Sequence, residues 1–208
     1  MAGNIFTTGG DVAAGVDAQP GYSQTYTSEQ YALGTRRVQS ADEVESGLTT
    51  STPAGTGLTG EEKGKGNSGV DRDKNFSLLT GDRQWLFIKA SAEIKKGDVV
   101  IRGSGTPFTG APCAADAKTK PALLGVADNV IASGSYGWVI TQGCAVVRSD
   151  TSGSKSISAN ALIDTDGSSG AAGEVNTAAG TDLSVIGVTL EAAGTTLADF
   201  VQCYIDIS

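Results

Sequence analysis

The sequence predicts an all-β protein: a small β-barrel or sandwich of short strands, with a long extended N-terminal arm and loop. Three observations carry this. First, Ala122 to Gly143, ALLGVADNVIASGSYGWVITQG, reads as strand, turn, strand. Leu123, Val126 and Val130 supply apolar bulk, and Gly134 breaks the chain before Tyr136-Gly137-Trp138-Val139-Ile140. Second, a looser copy recurs near the end. Val185-Ile186-Gly187-Val188-Thr189-Leu190 is followed by a Gly194-Thr195 turn and then Phe200 to Ile207. Third, the 208 residues include 29 Gly and abundant Ala, Ser and Thr, which suit turns and short strands better than long helices.

Residues 1–30 hold small and polar residues with scattered rings and no periodicity, and are read as an extended arm. Phe6, Tyr22 and Tyr26 are its large rings, and Tyr31 follows at the start of the β-domain. Such an arm orders by docking its rings in a partner's pockets, the preferred reading, or by packing them back onto its own domain. The β-domain is placed at 31–208, with 39–80 a low-complexity loop or insertion. Ser40-Ala41-Asp42-Glu43 has the form of a capping box, but Gly47 follows, so a single helical turn is the most it allows. Residues 47–75 offer almost nothing to bury.

The folded body is expected to start near Phe76. Trp85 to Ala90 gives the first strong strand signal. Glu93 to Lys96 is a polar link, and Gly97-Asp98 turns into Val99-Val100-Ile101-Arg102. Gly103 to Thr119 reads as a loop. After the first repeat unit, Cys144 to Arg148 reads as a further strand, and residues 149–160 as a Ser-rich turn region. Ala161 to Thr165 looks like a strand ending in the turn dipeptide Asp166-Gly167. Residues 170–181 form a small-residue loop around Glu174-Val175. In the last run, Val201, Cys203, Ile205 and Ile207 are expected to face the core, and Phe200, Gln202, Tyr204 and Asp206 the outside. Phe200 and Tyr204 thereby become candidate subunit contacts.

Little in the chain points to chemistry. It has no histidine, which removes the commonest general base and metal ligand. No catalytic residue, cofactor or metal is expected. Gly64-Lys65-Gly66-Asn67-Ser68-Gly69 matches a dinucleotide fingerprint formally, but no apolar strand precedes it and no helix opens after it. Asp164-Thr165-Asp166-Gly167 fails as a calcium loop, since Ser169 and Val175 sit where glycine and glutamate are needed. A turn-bound cation on Asp164, Asp166 and Glu174 is the lesser reading there; a hairpin turn is the greater. Asn75-Phe76-Ser77 is a chance glycosylation sequon on this reading.

Cys113, Cys144 and Cys203 are odd in number and lack CxxC spacing, so buried free thiols are expected. Net charge is −8: residues 1–104 carry 11 basic and 13 acidic side chains, residues 105–208 carry 4 and 10. An acidic C-terminal half argues against nucleic acid as a partner. The opening MAGNIFTTGG has no basic region followed by an apolar run, and no apolar stretch is long enough to span a bilayer. No membrane partner is expected.

The runs KASAEIKKGDVVI, ALLGVADNVIASGSYGWVITQGCAVV, ALIDTDG, SVIGVTLEA and FVQCYIDI, in this order, resemble the capsid decoration, or cement, proteins of tailed bacteriophages. The resemblance covers about residues 82–207, and Gly134 to Gly143 is its most telling part. Residues 31–38 resemble the segment that opens the domain in such proteins, which makes 39–80 an insertion. The resemblance implies a structural protein of the virion, made in the host cytoplasm. It would bind the outer face of the capsid, bridging copies of the major capsid protein, as a homo-oligomer with a trimer favoured over a dimer. On this reading Phe6, Tyr22, Tyr26, Tyr31, Arg36 and Arg37 are candidate capsid contacts; for the two arginines, surface solvation is an equally good account. Competing readings are a head-fibre or tail component, a carbohydrate-binding β-module using Trp85, Tyr136 and Trp138, and an enzyme.

Overall fold

The computed structural model describes residues 25–39, 81–103, 106–114, 122–149, 157–165, 173–177, 185–190 and 200–207. Ten strands run through them: β1 Arg36–Gln39, β2 Arg83–Ala90, β3 Val99–Arg102, β4 Thr109–Pro112, β5 Leu123–Ala127, β6 Tyr136–Arg148, β7 Leu162–Asp164, β8 Asn176–Thr177, β9 Gly187–Thr189 and β10 Phe200–Asp206. No α-helix occurs among the described residues. The all-β expectation therefore holds.

The strands form one mixed sheet in the order β1-β2-β4-β3-β5-β6-β10-β9-β7-β8, and β2 also pairs with β6. The pairings of β2, β4, β3, β5 and β6 thus return on themselves. Their seam is a two-residue parallel contact, Lys89 with Thr109 and Ala90 with Gly110, so the ring is partial and not a full barrel. Beyond the ring the sheet continues through β10, β9, β7 and β8.

Alternation along β2 sends side chains to two apolar clusters. Leu86, Ile88 and Ala90 join Val100, Leu124, Ala127 and Val139 in one. Trp85 and Phe87 join Val126, Trp138, Ile140, Val147, Ile163, Ile186, Val201 and Ile205 in the other. A strand covered on both faces needs a nearly continuous apolar run, and WLFIKA supplies it.

The two repeat units fold as antiparallel pairs, β5 with β6 and β9 with β10, and β6 and β10 pair with each other. The shared Gly-Val step has a steric reason. A Cβ on Gly125 would lie 2.6 Å from the Ile140 carbonyl oxygen, and one on Gly187 2.2 Å from that of Tyr204.

Three expectations are corrected. Gly103 to Thr119 is not all loop, because it contains β4. That strand is built from small residues, since a Cβ on Gly110 would meet Val100 at 2.5 Å and Leu124 at 2.9 Å. Cys144 to Arg148 is no separate strand: β6 runs unbroken through Gly143, which takes φ +110°. Gln202 is fully buried and not on an outer face, while Val201, Cys203 and Ile205 are buried as expected. The capping box, the Gly64 to Gly69 run and Asn75 lie outside the described residues.

Candidate interaction surfaces

The aromatic residues converge at the β2–β6 pair. Antiparallel register places Phe87 opposite Trp138 and Lys89 opposite Tyr136. Tyr26 is tied to Tyr136 by two backbone hydrogen bonds, each 2.8 Å. Its ring meets those of Tyr31 and Phe87 edge-on, at 6.2 and 6.0 Å between centroids. Tyr31 lies 5.1 Å from both Phe87 and Trp138 and is buried. Burial pushes the Tyr26 hydroxyl up to about 12, with Tyr31 beside it adding to the rise. Tyr31 is raised too, again by burial first. These two rings therefore pack onto the chain's own sheet instead of standing free for a partner, and residue 26 already joins the sheet inside the stretch read as an arm. Phe6 and Tyr22 lie outside the described residues.

The two basic candidates sit on β1. Arg37 is half-buried, with its guanidinium 6.0 Å from the Tyr31 ring centre, and Lys89 stands 5.5 Å over Tyr136. Arg36 is exposed, and Val38 is 64% exposed. Among the described residues β1 pairs with β2 alone, and none of them pairs with its other edge.

On the far part of the sheet, Phe200 packs with Cys144, Val146 and Leu190. Tyr204, 42% exposed, lies opposite Cys144 on β6 and Val188 on β9, and Val188 lies opposite Leu162, 45% exposed. A cross-strand row Leu162–Val188–Tyr204–Cys144 results. Of its members the sequence pointed to Tyr204 alone; the rest become neighbours through register, which no local pattern reveals.

Sequence reasoning also missed an ionic cluster built around the buried Asp98. Arg148 reaches Asp98 at 2.8 Å and Glu174 at 3.5 Å. The other Asp98 oxygen accepts the Lys95 amide at 2.8 Å. Burial raises the Asp98 carboxyl, and the Lys95 amide and then Arg148 oppose it. The cluster joins the turn before β3, the end of β6 and the segment before β8. Asp164 is buried and sits in the β7–β8 pair, while Glu174 is held by Arg148. No group of three potential metal ligands occurs among the described residues. The three cysteines are free and buried, and burial pushes the Cys144 thiol up. Trp85 and Trp138, two of the rings considered for sugar stacking, are each 1% exposed and so covered.

The fold defines an all-β protein whose candidate surfaces are sheet faces and a sheet edge. No protein-family model matches the chain, and no curated protein matches it. Among solved structures it is similar to the head fiber gp8.5 N base in bacteriophage phi29. Identity is 16% and the TM-score 0.42, over 60% of this chain and 94% of that one.

Proposed function

We propose that this chain is a structural protein of a bacteriophage virion, one that binds the outer surface of the capsid and strengthens contacts between major capsid proteins. One observation carries the reading. The runs that resemble cement proteins fold into β3, β5, β6, β10, β9 and β7, which are uninterrupted neighbours in the sheet. The resemblance thus covers a coherent body rather than scattered strands. The chemistry fits: the described residues hold buried thiols, a buried ionic tie and apolar clusters, all of which serve rigidity. Attachment through many symmetric copies lets weak single contacts sum to strong binding. The row Leu162–Val188–Tyr204 is the proposed subunit contact, in a trimer, and β1 with Arg36 and Arg37 the proposed capsid-facing edge.

Co-sedimentation of the purified protein with empty, expanded phage heads tests this. Saturable binding at a fixed ratio to the major capsid protein is expected. A folded protein that stays in the supernatant would move the assignment to a fibre, tail or glycan-binding component.

A further inference from the structure

We infer that the edge of β1 that no described residue pairs with is a docking site for an extended strand of another protein, one carrying a carboxylate and an apolar residue two positions apart. The argument starts from the backbone. Gly34 N–H donates to the Phe87 carbonyl, and Phe87 N–H donates to the Thr35 carbonyl, both at 2.9 Å. Antiparallel alternation then makes Arg37 with Trp85, and Gln39 with Arg83, the bonded pairs. The amides and carbonyls of Arg36 and Val38 consequently point away from β2, to the other side. Their side chains share one face, opposite that of Arg37 and Gln39.

That face is chemically specific. Among the described residues Arg36 makes no ion pair and no side-chain hydrogen bond. Val38 is the most exposed large hydrophobic described. An added strand would place residues two apart against them. A carboxylate answers Arg36, and a β-branched or aromatic side chain covers Val38. A charge on an edge strand also serves to discourage pairing; an exposed valine beside it does the opposite, and the pair together selects a partner. A second copy of this chain is the wrong occupant. Two RRVQ strands side by side would bring two guanidinium groups together on each face of one seam. The inference concerns the same edge that the proposed function turns toward the capsid, but it is argued from the geometry of β1 alone, so failure of head binding and failure of strand addition are separate results.

The probe is a capped octapeptide alternating Thr with Glu and Val (TETVTETV), titrated into the full chain and followed by calorimetry and amide chemical shifts. The control is its lysine counterpart (TKTVTKTV). Saturable binding of the glutamate peptide is expected, with shifts at residues 36–39 and at least roughly ten-fold preference over the lysine peptide. Arg36→Glu should reverse that preference. Val38→Pro removes an outward N–H, leaves the β1–β2 bonds, and should weaken binding about ten-fold with an unchanged melt. The inference is overturned if the glutamate peptide shows no binding up to about 1 mM, if both peptides bind equally, or if Val38→Pro binds like the parent in a folded state. It is overturned equally if sedimentation shows a self-association that Val38→Pro abolishes, which would place the contact between copies on β1.

Discussion

Asp98 shows how one residue carries a cost that its neighbours offset. Its carboxyl is 1% exposed, and burial holds it above the ordinary value of 3.8. A carboxyl raised in the folded state binds its proton more tightly there than in the unfolded chain. Its contribution to stability is therefore full below the unfolded value and is lost as pH rises through the folded one. Arg148 limits that loss by favouring the ionised form. Arg148→Met removes this help, so the folded value climbs further. The substitution should cost about 3–5 kcal/mol near neutral pH, the usual result of stranding one buried charge. Nearer pH 4 the protonated carboxyl tolerates the change, and the cost should shrink. Urea unfolding of both proteins at the two pH values measures it; equal costs would mean that Asp98 does not sense Arg148.

At the scale of elements, β6 is the organising strand. Its 13 residues pair with β2 on one side and with β5 and β10 on the other. It was legible in the sequence because β-branched and aromatic residues mark it along most of its length. Its continuity was not, because Gly143 reads as a terminator. In fact Gly143 sits beside a register shift between β2 and β6, where a Cβ would lie 2.4 Å from the Asp82 carbonyl oxygen. Gly134 also has positive φ, +81°, yet a Cβ there would meet nothing within 4 Å. Both glycines cost backbone strain when replaced, and one adds a collision. Gly143→Ala should therefore destabilise by more than Gly134→Ala, with roughly 1–3 kcal/mol from strain alone in each. Chemical denaturation of the two variants decides it, and equal effects would show that β6 yields at the bulge. β1 and β4 escaped sequence reasoning for opposite reasons. RRVQ has no apolar alternation, and TGAP has almost no side chains with which to show one.

For the whole molecule, the two apolar clusters share strands. β2 and β6 give alternate residues to each, so neither cluster can lose its packing while the other keeps its walls. Leu86→Ala in one and Val201→Ala in the other should lower the same single transition, Leu86→Ala by about 2–5 kcal/mol. Two separable transitions by calorimetry would show the clusters to be independent units. The fold class was readable because composition and strand runs are local properties. The candidate surfaces were not, because they are made by register. Tyr31 is one ring in a polar stretch until β2 and β6 give it Phe87 and Trp138 as neighbours. Arg148 and Asp98 are ordinary surface charges until β6 ends beside the turn that opens β3.

The register of β1 on β2 has one more consequence. Gln39 and Arg83 are partners across the pair, so the chain that leaves at the first returns at the second. Whatever joins them therefore starts and ends at one place on the sheet. Closing such a connection costs about 0.6 kcal/mol more for each doubling of its length, so the fold hardly senses how much sequence is spliced there. That junction is a natural graft point, where a foreign peptide or a folded cargo could be carried without disturbing the scaffold.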